Sequence, residues 1–166
     1  LWPVQSFSAG TPVSLRGVPL VIDAEDAEAQ RGLTALAALL SDRSAALALP
    51  QRQLLHIAAV FASNFPVQLL IEARHLLQRE GLDPELIVPL WRTTAQNAAL
   101  NADAALTGPA RRGDRHTIDA HLRRLSADAD LRRVYEVISD LILNAHHPES
   151  RVQPKEILEE LAEIDT

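Results

Sequence analysis

Helical periodicity between residues 50 and 145 constrains the fold of this chain more than any other feature. Apolar side chains recur there at every third or fourth position, which is the spacing of one face of an α-helix. Residues that start or stop helices separate the predicted segments: Pro50, Pro66, Gly81, Asp83, Pro84 and Asp114, with Asp128 or Asp130 starting the last. The pattern predicts a mainly α protein.

Two of the predicted helices show this spacing. The first places large side chains on one face: Leu54, Ile57, Phe61 and Phe65. Pro66 should interrupt this helix near Ser63 and Asn64, because proline has no N–H to donate. The last helix is expected to face inward through Leu131, Val134, Ile138, Leu141 and Ile142.

The first 49 residues combine strand and helix signals. Residues 4–7, 18–22 and 45–49 are predicted as short strands, and Asp26 should cap a helix that ends near Leu40. A strand, helix and strand in this order form a right-handed crossover between parallel strands. Residues 1–49 are therefore expected to be a β-α-β segment that precedes a helical domain at residues 50–145.

The last segment, residues 146–166, begins with a polar stretch and ends in an amphipathic pattern. Its narrow apolar stripe consists of Ile157, Leu158, Leu161 and Ile164. The pattern predicts a linker and a C-terminal helix that docks on a neighbouring helix or subunit.

Composition excludes several classes of function. The chain has no cysteine, which rules out disulfides, thiolate metal sites and thiol catalysis. Its net charge of −6 argues against a nucleic-acid binder. No apolar run approaches the roughly 20 residues of a membrane span. There is no methionine, not even an initiator, so we expect the chain to begin inside a longer polypeptide.

A glycine-bounded segment, residues 108–113, is the first candidate site. It is not a phosphate-binding P-loop, because Asp114 and Arg115 stand where lysine and a hydroxyl residue belong. Arginines beside a predicted helix start still suit a carboxylate or phosphate. The candidate anion-binding residues are Thr107, Gly108, Arg111, Arg112, Asp114 and Thr117. The alternative is a solvated turn in which Asp114 is an ordinary helix cap.

The predicted break before Pro66 is the second candidate site. His56, Ser63 and Asn64 fall on one face of the preceding helix, so they could line a single cleft. The alternative is a hydrogen-bonded core histidine followed by a polar kink. No metal site is expected, since His116 and His121 are five residues apart and do not share a helix face.

Four stretches together resemble a known family. They are LWPVQSFS at residues 1–8, HIAAVFASNF at 56–65, ALTGPARRGD at 105–114 and HTIDAHL at 116–122. In this order they are similar to the C-terminal part of the DUF2520 family of NAD(P)-dependent oxidoreductases, which join a Rossmann-like domain to a helical domain. The resemblance covers about residues 1–143, nearly the whole chain apart from its tail.

The resemblance implies a helical domain like that of 6-phosphogluconate dehydrogenase and pyrroline-5-carboxylate reductase. Such domains dimerise, and substrate lies between them and the nucleotide domain. The family's opening motif usually reads His-Pro, whereas this chain has Trp2 and Pro3. The family's glycine-rich turn is absent from the chain, so NAD or NADP is expected in the full-length protein and not on this chain alone.

The sequence thus predicts the substrate-binding and dimerisation domain of a cytoplasmic NAD(P)-dependent reductase or dehydrogenase. Its substrate would be a small molecule bearing a carboxylate, with no nucleic-acid or membrane partner. His56 would be the acid or base, with Ser63 and Asn64 binding substrate across a cleft from residues 107–117. The alternative is a helical dimerisation module without catalytic activity.

Overall fold

The computed structural model describes residues 1–148, most of which are helical. The chain divides into two compact units, Leu1–Leu76 and the residues from Leu77 onward. A short sheet lies in the N-terminal part of the first unit, and the other regular elements among the described residues are helical. The mainly α fold with an N-terminal β-α-β segment, as predicted from sequence, is confirmed.

The sheet of the first unit has three short strands in the order β1-β2-β3. They are β1 (Trp2–Pro3), β2 (Leu20–Ile22) and β3 (Ser44–Ala46). Helix α1 (Ala27–Leu40) connects β2 to β3, which pair in parallel as predicted. β1 pairs antiparallel with β2, with Trp2 opposite Val21.

A small apolar core fixes α1 against β2. Leu20, Ile22 and Ala37 are buried together, and Leu33 packs on them. The Ser41 hydroxyl, also buried, donates to the Val18 carbonyl at 2.6 Å and so ties the end of α1 to the strand. A satisfied buried hydroxyl of this kind adds stability without leaving a polar group unpaired.

The strand predicted at residues 4–7 is wrong. β1 consists of Trp2 and Pro3, and the chain leaves the sheet after the Val4 N–H donates to the Pro19 carbonyl at 2.9 Å. Apolar and polar residues alternate beyond that point, but Ser6 and Phe7 are exposed and lie in no strand. Alternation alone makes no strand where there is no neighbouring strand to pair with.

Two long helices follow the sheet. Helix α2 spans Leu49–Ala62 and helix α3 spans Asn64–Arg79, with Ser63 between them. The predicted interruption is therefore confirmed.

The two helices together are long and apolar enough, by length and composition alone, to cross a membrane. From the sequence we expected no apolar run of that length in the chain, and no membrane is shown. Large apolar residues of the two helices are exposed in this chain: Leu54, Ile57, Phe61 and Phe65.

The second unit contains the remaining helices. After Gly81, whose φ is 71°, a 3-10 turn (Pro84–Ile87) leads into α4 (Val88–Leu100). Pro89 cannot donate to the Glu85 carbonyl, so the predicted helix begins as a tighter turn in which the Val88 N–H bonds Glu85. The other helices are α5 (Ala102–Ala105), α6 (Pro109–Arg112), α7 (Arg115–Arg124) and α8 (Ala129–His146).

The core of the second unit is built by α6, α7 and α8. Ala110, Ile118 and Leu143 are buried together. The expectation that Val134, Ile138 and Leu141 face inward is wrong, because all three are exposed in this chain. The buried side of α8 carries Ser139 and Leu143, so most of its apolar stripe faces away from this core.

The predicted C-terminal helix and its stripe from Ile157 to Ile164 lie outside the described residues. The glycine-bounded segment at residues 108–113 forms one helical turn, α6, between Gly108 and Gly113.

Asp128 makes the stability of the second unit pH-dependent. Its carboxylate caps α8 by accepting the Leu131 N–H at 3.0 Å, and it pairs with Arg79 at 2.7 Å. These contacts, led by the Arg79 hydrogen bond, lower the pKa of Asp128 below its usual 3.8. A lowered folded-state pKa stabilises the fold above pH 3.8, and this stabilisation is lost as pH falls through the folded-state pKa.

We therefore expect Asp128→Asn to lower the Tm at pH 6, with the difference from wild type shrinking towards pH 2. Thermal melts followed by circular dichroism measure both. Asp140→Asn, an exposed carboxylate on the same helix, is the matched control and should change the Tm little at any pH. An Asp128→Asn difference that stays constant from pH 6 to pH 2 would contradict the assignment.

Candidate functional site

A cavity of about 850 Å³ lies in the first unit beside the sheet. It is lined by Leu1, Trp2, Val21, Asp23, Arg52, Gln53, His56 and Ile57. Asp23 directly follows β2, so the cavity reaches the carboxyl end of the parallel strands. Ligands of open α/β sheets bind outside the carboxyl ends of the strands, which makes this cavity the strongest candidate site.

His56 stands on the wall of this cavity. It lies in the second turn of α2, which starts soon after β3 ends and therefore at the same edge of the sheet. Its ring meets that of Trp2 edge-to-face, with centroids 6.0 Å apart. His56 is exposed, so the alternative of a core histidine is wrong. An imidazole placed at a cavity can exchange a proton with a bound molecule near neutral pH.

Trp2 occupies the position where the resemblance places histidine. β1 brings this position against His56, so Trp2 and His56 line one cavity. An indole donates one hydrogen bond and does not titrate, so Trp2 can contact a ligand or limit its size without exchanging a proton with it.

Sequence reasoning missed an ion pair in the same cavity. The Arg52 Nη1 lies 2.5 Å from the Asp23 Oδ2. The signals were an acidic residue directly after an apolar strand and an arginine four positions before His56, on the same helix face. The pair places one positive and one negative group in the cavity that His56 lines.

Ser63 and Asn64 lie two helical turns beyond His56, at the junction of α2 and α3. The Ser63 hydroxyl is 2.7 Å from the Ala59 carbonyl and 2.8 Å from the Asn64 Oδ1, so it has two acceptors for one proton. Both residues line a separate hollow of about 460 Å³ with Ser6, Phe65, Val67 and Gln68. The structure thus places His56 in one hollow and Ser63 with Asn64 in another.

The glycine-bounded segment is held in a defined shape in the second unit. Gly108 has φ 99° and Gly113 has φ 72°, a region that favours glycine. A side chain at Gly113 would also meet the His147 ring at 3.2 Å. The His147 Nε2 hydrogen-bonds the Arg111 carbonyl at 3.0 Å, which fixes the turn between them.

Asp114 caps α7 with its own carboxylate. It accepts the Thr117 N–H at 3.0 Å and the Thr117 hydroxyl at 2.7 Å. The side-chain bond from Thr117, followed by the backbone bond, lowers the pKa of Asp114. The Thr117 donors are therefore engaged by Asp114, as in the alternative of an ordinary cap.

Of the arginines in the glycine-bounded segment, Arg112 is exposed. Arg112 is 4.0 Å from Asp114 and its side chain is 64% exposed, so its guanidinium remains accessible to a ligand. Anion binding by Thr107, Gly108, Arg111 and Arg112 stays a prediction. The predicted cleft joins residues of the first unit with residues of the second, and it too stays a prediction.

Solved structures similar to this chain include the following two. A crystal structure named "putative NADP oxidoreductase", from Bacteroides fragilis, shares 36% identity with a TM-score of 0.78, covering 86% of this chain and 55% of that one. A protein from Thermotoga maritima shares 27% identity with a TM-score of 0.64, covering 81% and 54%. This chain therefore spans about half the length of each.

A search of curated proteins found no match. Residues 18–142, most of the chain, match the sequence profile of a family described as a domain of unknown function, DUF2520. The profile includes the candidate residues from His56 to Thr117 and ends within α8. The chain belongs to the DUF2520 family.

Proposed function

We propose that this chain is the substrate-binding and dimerisation part of a cytoplasmic NAD(P)-dependent oxidoreductase acting on a small carboxylate-bearing molecule. The observation that carries the proposal is the His56 cavity at the carboxyl end of parallel strands, in a chain 36% identical to a protein named as an NADP oxidoreductase. Such a protein needs a proton-exchanging group beside its substrate, and His56 is the candidate.

The nucleotide site belongs, in this proposal, to sequence outside the chain. No G-x-G-x-x-G turn occurs in it. The described turn from β2 into α1 carries Asp23, Glu25 and Asp26, and Asp26 itself caps α1 by accepting the Ala29 N–H. Acidic side chains at that turn would repel a pyrophosphate, so these residues do not fit a dinucleotide.

The roles of the chain's own residues follow from their positions. His56 would give a proton to, or take one from, a substrate carbonyl, imine or hydroxyl in its cavity. Ser63 and Asn64 line a separate hollow, so the hydrogen bonds proposed for them need a substrate that reaches both hollows. Arg111 and Arg112, at the glycine-bounded segment, would bind a substrate carboxylate or cofactor phosphate.

Dimerisation is supported by apolar surface that each unit leaves uncovered. In the second unit the exposed large residues include Leu86 and Leu90 near α4, and Val137 and Leu141 one turn apart on α8. Exposed apolar faces of this extent mark interaction surfaces in soluble proteins. A second copy of the chain is the partner we propose for the α8 face.

A dimer is expected by light scattering at micromolar concentration. Leu141, 67% exposed, should be buried in it, so Leu141→Glu would weaken association about 100-fold by placing a carboxylate from each copy in an apolar contact. Asp140→Ala, at the adjacent position, should leave the dimer intact. A monomeric wild-type chain would contradict the proposal.

The cofactor assignment is tested by comparing two lengths of polypeptide. The 166-residue chain alone should show no micromolar binding of NADPH or NADH in calorimetry, because it lacks the pyrophosphate-binding turn. A polypeptide that also includes the coding sequence upstream of Leu1 should bind one of them. Micromolar binding to the short chain, or none to the longer one, would overturn the assignment.

Arg112→Ala should weaken binding of an anionic ligand to the longer protein by about tenfold, the loss of one charge-assisted hydrogen bond. Because the Arg112 side chain is 64% exposed, the Tm should change little. Isothermal calorimetry and thermal melts give the two values. An unchanged affinity would remove Arg112 from the site.

A helical dimerisation module without catalytic activity is the second candidate. Trp2 favours it, because the titratable histidine usual in the family is replaced beside His56. A start codon immediately upstream of Leu1 would support this candidate, whereas a strand followed by a G-x-G-x-x-G turn would support the reductase.

A further inference from the structure

The two partners of the ion pair in the His56 cavity differ in exposure. Arg52 is only 27% exposed, whereas Asp23 is 54% exposed, so the cation is the better shielded partner. Four apolar or aromatic residues line the same cavity: Leu1, Trp2, Val21 and Ile57. Solvent reaches the Asp23 carboxylate, so the pair positions the Arg52 guanidinium in the cavity more than it stabilises the fold.

The Arg52 guanidinium has an N–H donor without a hydrogen-bond partner among the described residues. A guanidinium has five N–H donors, and Asp23 is bonded to Nη1. The Arg52 Nε is shielded from solvent and has no hydrogen-bond partner among the described residues. The Nε lies on the side edge of the planar group, the edge that pairs with both oxygens of a carboxylate. Because the Nε is shielded, the guanidinium must turn for this edge to reach a carboxylate in the cavity, and the contact then satisfies a donor that is otherwise unpaired.

Arg52 and His56 are four residues apart on α2, so their Cβ atoms lie about 5–6 Å apart on the same helix face. Both line the one cavity. A molecule whose carboxylate meets Arg52 would therefore place a neighbouring polar group within reach of the His56 imidazole. Small carboxylates with a carbonyl, imine or hydroxyl close to the acid group have this shape.

We propose that Arg52, held from its other edge by Asp23, binds the carboxylate of a small 2-oxo, 2-imino or 2-hydroxy acid in the His56 cavity. This inference rests on the proposed function for the identity of the reacting group. It places the substrate carboxylate at Arg52, which leaves a cofactor phosphate as the anion for Arg111 and Arg112.

Pyruvate is the probe, titrated into the ¹⁵N-labelled 166-residue chain at constant ionic strength. The chain has two tryptophans, so its spectrum contains two indole N–H signals, and Trp2→Phe identifies the one from the cavity. The Trp2 signal should shift saturably with pyruvate, while the Trp91 signal should not. Acetone, which lacks the carboxylate, should cause no saturable shift.

Two substitutions separate binding from folding. Arg52→Met should raise the Kd for pyruvate at least tenfold, and Arg52→Lys, which keeps the charge but loses the two-point contact, should have a smaller effect. Arg31→Met, an exposed arginine on α1, is the matched control and should leave the Kd unchanged. Circular dichroism confirms that each variant is folded.

Two results would overturn the proposal. One is the absence of a saturable Trp2 shift up to about 50 mM pyruvate, a range that detects even very weak ligands. The other is an equal Kd for wild type and a folded Arg52→Lys or Arg52→Met chain. Neither result depends on NADPH binding by the longer polypeptide, so this proposal and the proposed function can fail separately.

Discussion

The parallel pairing of β2 with β3 is the constraint on which the candidate site depends. Helix α1 returns the chain to the start of β3, so both strands end at the same edge of the sheet. Asp23 follows β2 at that edge, and α2 begins a few residues after β3. Arg52 and His56 then lie within the first two turns of α2. An antiparallel connection would end the strands at opposite edges and separate Asp23 from Arg52.

Each unit has a small core for the number of apolar residues it carries. Three buried residues form the cluster between β2 and α1, and three others form the cluster between α6, α7 and α8. Meanwhile α2 exposes Leu54, Ile57 and Phe61, and α8 exposes Val137 and Leu141. Apolar surface left in water lowers the stability of an isolated chain, because its burial is the main force that favours folding. This imbalance is the physical basis for expecting a second copy.

The glycine-bounded segment shows how a cap and an anion site compete. Asp114 brings its carboxylate to the start of α7 and engages both donors of Thr117. A helix start that carries its own carboxylate attracts an external anion less than an uncapped one. Ligand binding at this segment therefore depends on Arg111 and Arg112 more than on the helix end.

Much of the fold was determined by local sequence. Asp26 and Asp114 cap helices as predicted, since a cap needs only the three residues that follow it. Of the two starts that the sequence left open for the last helix, Asp128 is the cap. The break at Ser63 follows in the same way from the missing N–H of Pro66. The sequence alone therefore predicted the mainly α architecture, the parallel strands and the family. Only the tertiary structure showed that Trp2 and Asp23 join Arg52 and His56, because Trp2, Asp23 and helix α2 lie far apart in the chain and meet through sheet pairing. It also decided which face of α8 is buried, since periodicity gives the apolar face of a helix but not its neighbours.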